Sequence, residues 1–141
     1  MTNVRLGRPT GSPSRIEGRE DNRPTIVVRL TDDPRSDGAA RWSPNGQQIV
    51  FRSDRDGDNE VWIMNSDGSG KVQLTHNESF NDVFPSWSPS GQQIAFGTDR
   101  DDGAREIYVM NADGSGRRRL TNGKYFDGTQ DWTQGNCKIC R

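Results

Sequence analysis

The chain has only two cysteines and one histidine among 141 residues. A structural zinc site drawn from Cys and His needs four ligands, and three are available. A single His also confines any serine–histidine–acid set to His76, and no G-x-S-x-G stretch accompanies it. No apolar run approaches the roughly 18 residues of a membrane span. The first 30 residues lack the apolar stretch of a signal peptide. The chain is therefore expected neither to enter a membrane nor to carry its own export signal. Charge of one sign is missing too: 19 basic and 20 acidic residues leave a net charge of −1, so nothing draws the whole chain toward nucleic acid. Apolar residues are sparse. The hydrophobic fraction is 28 %, mean hydropathy is −1.01, and only about 17 % of residues are Leu, Ile, Val or Phe. That fraction borders on disorder, but the high net charge of disordered chains is absent, and four Trp and five Phe argue for a core.

What the chain does have is a repeat. Arg41 to Thr75 reads RWSPNGQQIVFRSDRDGDNEVWIMNSDGSGKVQLT, and Ser86 to Thr121 reads SWSPSGQQIAFGTDRDDGAREIYVMNADGSGRRRLT. Trp42 maps to Trp87 at an offset of 45. Met64 maps to Met110 at 46, because the second acidic turn is one residue longer. Leu30-Thr31 ends a preceding copy, and Trp132 begins a following one. A period of about 40–45 residues is that of a four-stranded propeller blade.

Local patterning agrees. Ile49 and Phe51 alternate with Val50 and Arg52, the strand period of two. Val61 to Met64 and Ile107 to Met110 are short apolar runs of the kind buried on both faces. Pro44-Asn45-Gly46, Asp56-Gly57 and Asp67-Gly68-Ser69-Gly70 supply the turns. The reading is all-β: antiparallel four-stranded blades, two complete ones at about 38–75 and 82–121, with flanking strands and an unclosed propeller. Strands are predicted over about 38–42, 47–53, 60–65 and 71–75, then 82–87, 92–98, 105–111 and 116–121. A lone last strand is expected at 25–30 and a lone first strand at 130–133. Residues 1–24 hold five Arg, three Pro and three Gly without periodicity, and read as a disordered tail. Ile16-Glu17-Gly18-Arg19 within it matches a protease site used in expression vectors. Residues 134–141 read as a second tail carrying Cys137 and Cys140.

The pattern W-S-P-x-G-x-x-I-x-F, then S/T-D-R-D, then E-I-Y-x-M-N-x-D-G-S-G and L-T, resembles the TolB-type, WD40-like (PD40) propeller repeat over about 25–133. Ala40 departs from Pro85, and Trp132-Thr133-Gln134-Gly135 departs from Trp-Ser-Pro-x-Gly. The resemblance implies a non-enzymatic scaffold that binds another protein, and a periplasmic or envelope setting with a lipoprotein partner. Two alternatives stand behind it: a gating propeller attached to a serine peptidase outside this chain, as similar repeats form, or, from the uncovered blade faces, a ring built from several copies. A piece of a longer protein is preferred to that homo-oligomer, since two blades leave large sheet faces uncovered.

The candidate residues are mostly scaffold. Trp42, Trp87, Phe51, Phe96, Trp62, Tyr108, Met64 and Met110 occupy matching repeat positions and are expected to pack where blades meet. Asp54, Asp56 and Asp58 alternate as calcium ligands do, but the glycine falls fourth rather than sixth, so turn-capping is preferred to metal binding. No cofactor is expected. Asp-Gly-Ser-Gly lacks the Gly-Lys-Ser/Thr of a phosphate loop, and Arg117-Arg118-Arg119 cannot form one charged face on a strand. Asn77-Glu78-Ser79 matches a glycosylation triplet, a pattern frequent by chance.

Overall fold

A computed structural model describes residues 17–18, 24–101, 104–123, 130–133 and 136–139. Among these there is no helix. The first blade comprises β3 (Asp37–Trp42), β4 (Gln48–Ser53), β5 (Glu60–Asn65) and β6 (Val72–Gln73). The second comprises β7 (Asp82–Trp87), β8 (Gln93–Thr98), β9 (Glu106–Asn111) and β10 (Arg118–Arg119). Both are antiparallel meanders in sequence order. The registers match copy for copy: Phe51 faces Trp62 as Phe96 faces Tyr108. Each innermost strand carries an irregularity, between Gly38 and Arg41 and between Val83 and Ser86. Ala39 and Phe84, at equivalent places within these bulges, take φ of 51° and 53°.

The blades stack face to face. Val50, Val61, Ile63 and Leu74 of the first meet Trp87, Ile94, Phe96 and Met110 of the second in one core. Ile49, Phe51 and Met64 lie on the first blade's opposite face, with Leu30, Ala40 and Trp62 against them. Leu30 therefore does for the first blade what Leu74 does for the second. Glycine makes this possible. At Gly68 an added Cβ would lie 2.9 Å from the Leu30 carbonyl, and at Gly114 the same distance from the Leu74 carbonyl. Both glycines have φ near +87°, so the hairpin turn of each blade presses on the last strand of the blade before it.

Four expectations change. Trp42 is 43 % exposed, whereas Trp87 is 8 % exposed, so Trp42 is not a blade-contact residue here. The Trp87 indole N–H donates to the Arg41 carbonyl at 3.2 Å, and that of Trp132 donates to Ser86 in the same way. The outer strands are shorter than predicted, two residues each, although the Leu74 and Leu120 amides continue the ladder. The lone strand at 25–30 is instead β2 (Pro24–Thr25), paired with β1 (Glu17–Gly18) inside the expected tail, plus an isolated bridge at Val28. Past Trp132 the chain does not end as a tail: β11 (Gln130–Thr133) pairs with β12 (Asn136–Ile139), putting Trp132 opposite Cys137. Cys140 lies outside the described residues.

Candidate functional site

The two rims of the blade stack differ. One rim carries the turns between the first and second strands and between the third and fourth. Its bonds repeat almost one for one. The Ser43 and Ser88 hydroxyls accept from the Gln48 and Gln93 amides at 2.9 and 3.0 Å. Asp67 and Asp113 each accept from the amide and hydroxyl of Ser69 and Ser115. Those bonds hold both carboxyls below the ordinary range.

The other rim carries the turns 54–59 and 99–105 and the inter-blade segment 76–81. Here the Asp-Arg-Asp turn has one role per residue. Asp54 Oδ1 accepts the Ser36 amide at 2.7 Å, and Asp99 Oδ1 accepts the Asn81 amide at 2.6 Å. The Arg55 guanidinium lies 4.6 Å over the Trp62 ring and bonds Asp37 at 3.1 Å; that of Arg100 lies 5.6 Å over Tyr108. Asp56 accepts from Gln73, and Asp101 from Tyr108 and Arg119. Asp54 and Asp56 are thus committed to protein donors. Burial, then the Asp56 charge, pushes the Asp58 carboxyl up. Among the described residues no three His, Cys, Asp or Glu side chains converge to hold a metal.

Beneath this rim lies a polar cluster that the sequence reading did not single out. Glu60, at the head of β5, is fully buried, as are Thr75 and Thr98; Asp82, at the head of β7, is nearly so. The Thr75 hydroxyl donates to Glu60 and accepts the Val61 amide at 2.9 Å. The other Glu60 oxygen accepts the Asn77 amide at 2.7 Å, and the Asn77 side chain donates to Asp82 at 3.4 Å. Burial drives the Glu60 carboxyl up to about 7, with the nearby Asp82 and Asp58 charges adding to it against the bonds from Thr75 and Asn77. Burial also raises Asp82, against the neighbouring hydroxyls of Thr98 and Thr75 and the charge of Arg117. The signal was present in sequence: Glu60/Glu106, Thr75/Thr121 and Asp37/Asp82 all recur at the repeat offset.

The second blade repeats the motif with one change. Thr121 donates to Glu106, and the Gly123 amide donates to it at 3.1 Å. Where the first blade has Gln73, the second has Arg119, 2.7 Å from Glu106. Burial again pushes this carboxyl up, but Thr121, Gly123 and Arg119 outweigh it and hold it below the ordinary range. The run 117–119 is thereby divided: Arg117 reaches the Leu74 carbonyl across the junction at 2.7 Å, while Arg119 serves Glu106. His76 is exposed, and Asn77 is held as a loop staple rather than offered to solvent.

The profile of the TolB beta propeller domain (PD40) matches residues 23–140, most of the chain. The chain belongs to that family. The Tol-Pal system protein TolB of Syntrophus aciditrophicus is 39 % identical over 76 residues, covering 50 % of this chain and 16 % of that protein. A structure assigned as TolB from Agrobacterium tumefaciens superposes with a TM-score of 0.64 at 27 % identity, covering 76 % of this chain and 39 % of that one. TolB from Acinetobacter baumannii superposes at 0.63 with 20 % identity over 79 % of this chain and 27 % of its own, a likeness of fold. This TolB-type chain thus spans well under half the length of these relatives.

Proposed function

We propose that this chain contributes blades to a non-enzymatic TolB-type propeller that binds a protein partner through the variable rim. The contrast between rims carries the reading. A rim whose turns repeat bond for bond serves the scaffold, whereas the opposite rim changes in length and chemistry from blade to blade. That variable rim presents exposed Phe80 and Phe84, with Arg105 stacked 5.4 Å from the Phe84 ring. Aromatic and Arg side chains are the commonest anchors of protein interfaces. The family resemblance implies a lipoprotein partner, so the soluble domain of a Tol-Pal-type lipoprotein is the first partner to try.

Titration calorimetry of that domain against the full chain tests this. Phe80→Ala is expected to weaken binding about tenfold or more. Asn45→Ala, on the repeated rim, is expected to leave it unchanged. Absence of binding by the unaltered chain, or equal losses at both rims, overturns the reading. A gating propeller of a larger serine peptidase is the second reading. The fold of puromycin hydrolase is shared at a TM-score of 0.66 over 85 % of this chain, but at 15 % identity that is fold alone.

A further inference from the structure

The junction between the two blades holds two carboxyl groups that no cation among the described residues is bonded to. Glu60 and Asp82 arrive from adjacent blades, share the Thr75–Asn77 segment, and are both removed from water. The acceptor atoms of Glu60 are spent on the Thr75 hydroxyl and the Asn77 amide. Two buried carboxylates held by the same Asn77, one by its amide and one by its side chain, cannot both ionise at ordinary cost, so the pair retains one proton. Asn77 in turn folds the inter-blade loop, its side-chain oxygen accepting the Phe80 amide at 2.7 Å. The Asp82 amide donates to Asn59 at 2.6 Å, closing the loop on the first blade.

The charged groups facing this pair come from every neighbouring element. Asp58 lies in the turn before β5, and Arg117 reaches over from the strand that becomes β10. Glu78 on the loop and Asp56 on the turn act on Asp58. Three of these four are acidic, Arg117 is engaged by the Leu74 carbonyl, and the His76 side chain on the segment itself is exposed to solvent. Gln73, the residue in register with Arg119, is neutral and turned to Asp56.

We propose that this junction is a proton-operated latch: the proton shared by Glu60 and Asp82 holds the 76–82 segment closed, and its loss opens that segment while the Glu106–Arg119 junction stays shut. The folded junction binds its proton more tightly than an unfolded chain does. Its contribution is therefore complete below the ordinary carboxyl range and is lost as the pH rises toward 7. At the second junction Arg119 takes the place of the proton, and the order reverses.

Amide hydrogen exchange of the full chain at about pH 5.5 and about pH 8.5, corrected for intrinsic rates, reads each latch separately. The Asn77 and Val61 amides report on the first junction, and Gly123 and Ile107 on the second. Protection at Asn77 and Val61 is expected to fall about tenfold or more for each pH unit by which the folded pair's titration is displaced. Gly123 and Ile107 are expected to hold. Gln73→Arg, copying the second blade at a partly exposed position, is expected to abolish the fall. Glu60→Gln, nearly isosteric, gives a second pH-independent form should the arginine not be accommodated. A flat profile in the unaltered chain, parallel falls at both junctions, or a fall that survives both substitutions overturns the proposal.

Discussion

Trp42 and Trp87 begin the same motif, Trp-Ser-Pro-x-Gly-Gln-Gln, yet live in different surroundings. Trp87 sits in the core between blades with its indole N–H bonded to the Arg41 carbonyl; Trp42 is 43 % exposed. The repeat fixes the backbone, the turn and the strand register of each. It does not fix the neighbour. In a stacked array each blade supplies half of an interface, so a side chain's energetic weight depends on which blade lies in front of it. The same holds one layer out. Glu60 and Glu106 accept the same bonds from a threonine hydroxyl and a loop amide, but Glu60 lies near the Asp82 carboxyl of the next blade, while Glu106 pairs with a guanidinium from the neighbouring strand of its own blade.

The tryptophans give the largest expected difference. Trp87→Ala should cost about 3–5 kcal/mol, the range for a buried aromatic lost with its cavity. Trp42→Ala should cost about 1 kcal/mol or less, since half its ring already meets water. Urea unfolding of the two variants measures the gap. Equal costs would mean that in solution something covers Trp42.

Next come the glycines pressed on the preceding blade. Gly68→Ala and Gly114→Ala each place a methyl group 2.9 Å from a backbone oxygen, at a φ that alanine disfavours. About 1–3 kcal/mol is expected for each. If Leu30 packs as firmly as Leu74, the two costs will be alike. A much smaller cost at Gly68 would show that the segment around Leu30 yields more easily than a complete blade.

Arg119→Gln gives β10 the residue that β6 carries at the same register position. Glu106 then loses its guanidinium but keeps the Thr121 and Gly123 bonds. The native carboxyl is held low, so its stabilisation is present above the ordinary carboxyl range and fades as the pH falls through it. The substitution should therefore destabilise at pH 8, and do so less at pH 4. Thermal melts across that range check the sign.

Most of the fold could be read from the chain because propeller signals are local. Period-two strands, glycine turns and a 45-residue offset need no knowledge of what packs on what. The errors fall where local pattern and tertiary context part. Val72 and Arg118 have strand-like neighbours but lie on outer edges, where regular strand geometry spans only two residues. Asn136–Ile139 has weak strand composition, and only pairing with Gln130–Thr133 makes it a strand. The Glu60–Asp82 pair escaped notice because its members are 22 residues apart and meet only when blades stack. The repeat alignment nevertheless held the clue: Arg29, Gln73 and Arg119 share one position before Leu-Thr, and the neutral member marks the junction without a cation.

The smallest effect concerns calcium. Alternating Asp54, Asp56 and Asp58 invite a cation by spacing alone, and a hairpin turn with the same residues needs none. Geometry favours the turn. Asp54 is held by the Ser36 amide, and its counterpart Asp99 by both nitrogens of Asn81. Asp56 is held by Gln73. A bound Ca²⁺ takes six to eight oxygens, so it would have to strip these carboxylates from donors that the fold already supplies. Millimolar calcium should leave the melting temperature within about 1 °C of its value in chelator, because ligand that does not bind the native state adds no stability. A rise of several degrees that Asp56→Asn removes, with Asp101→Asn as the control in the other blade, would move the turn from scaffold to binding site.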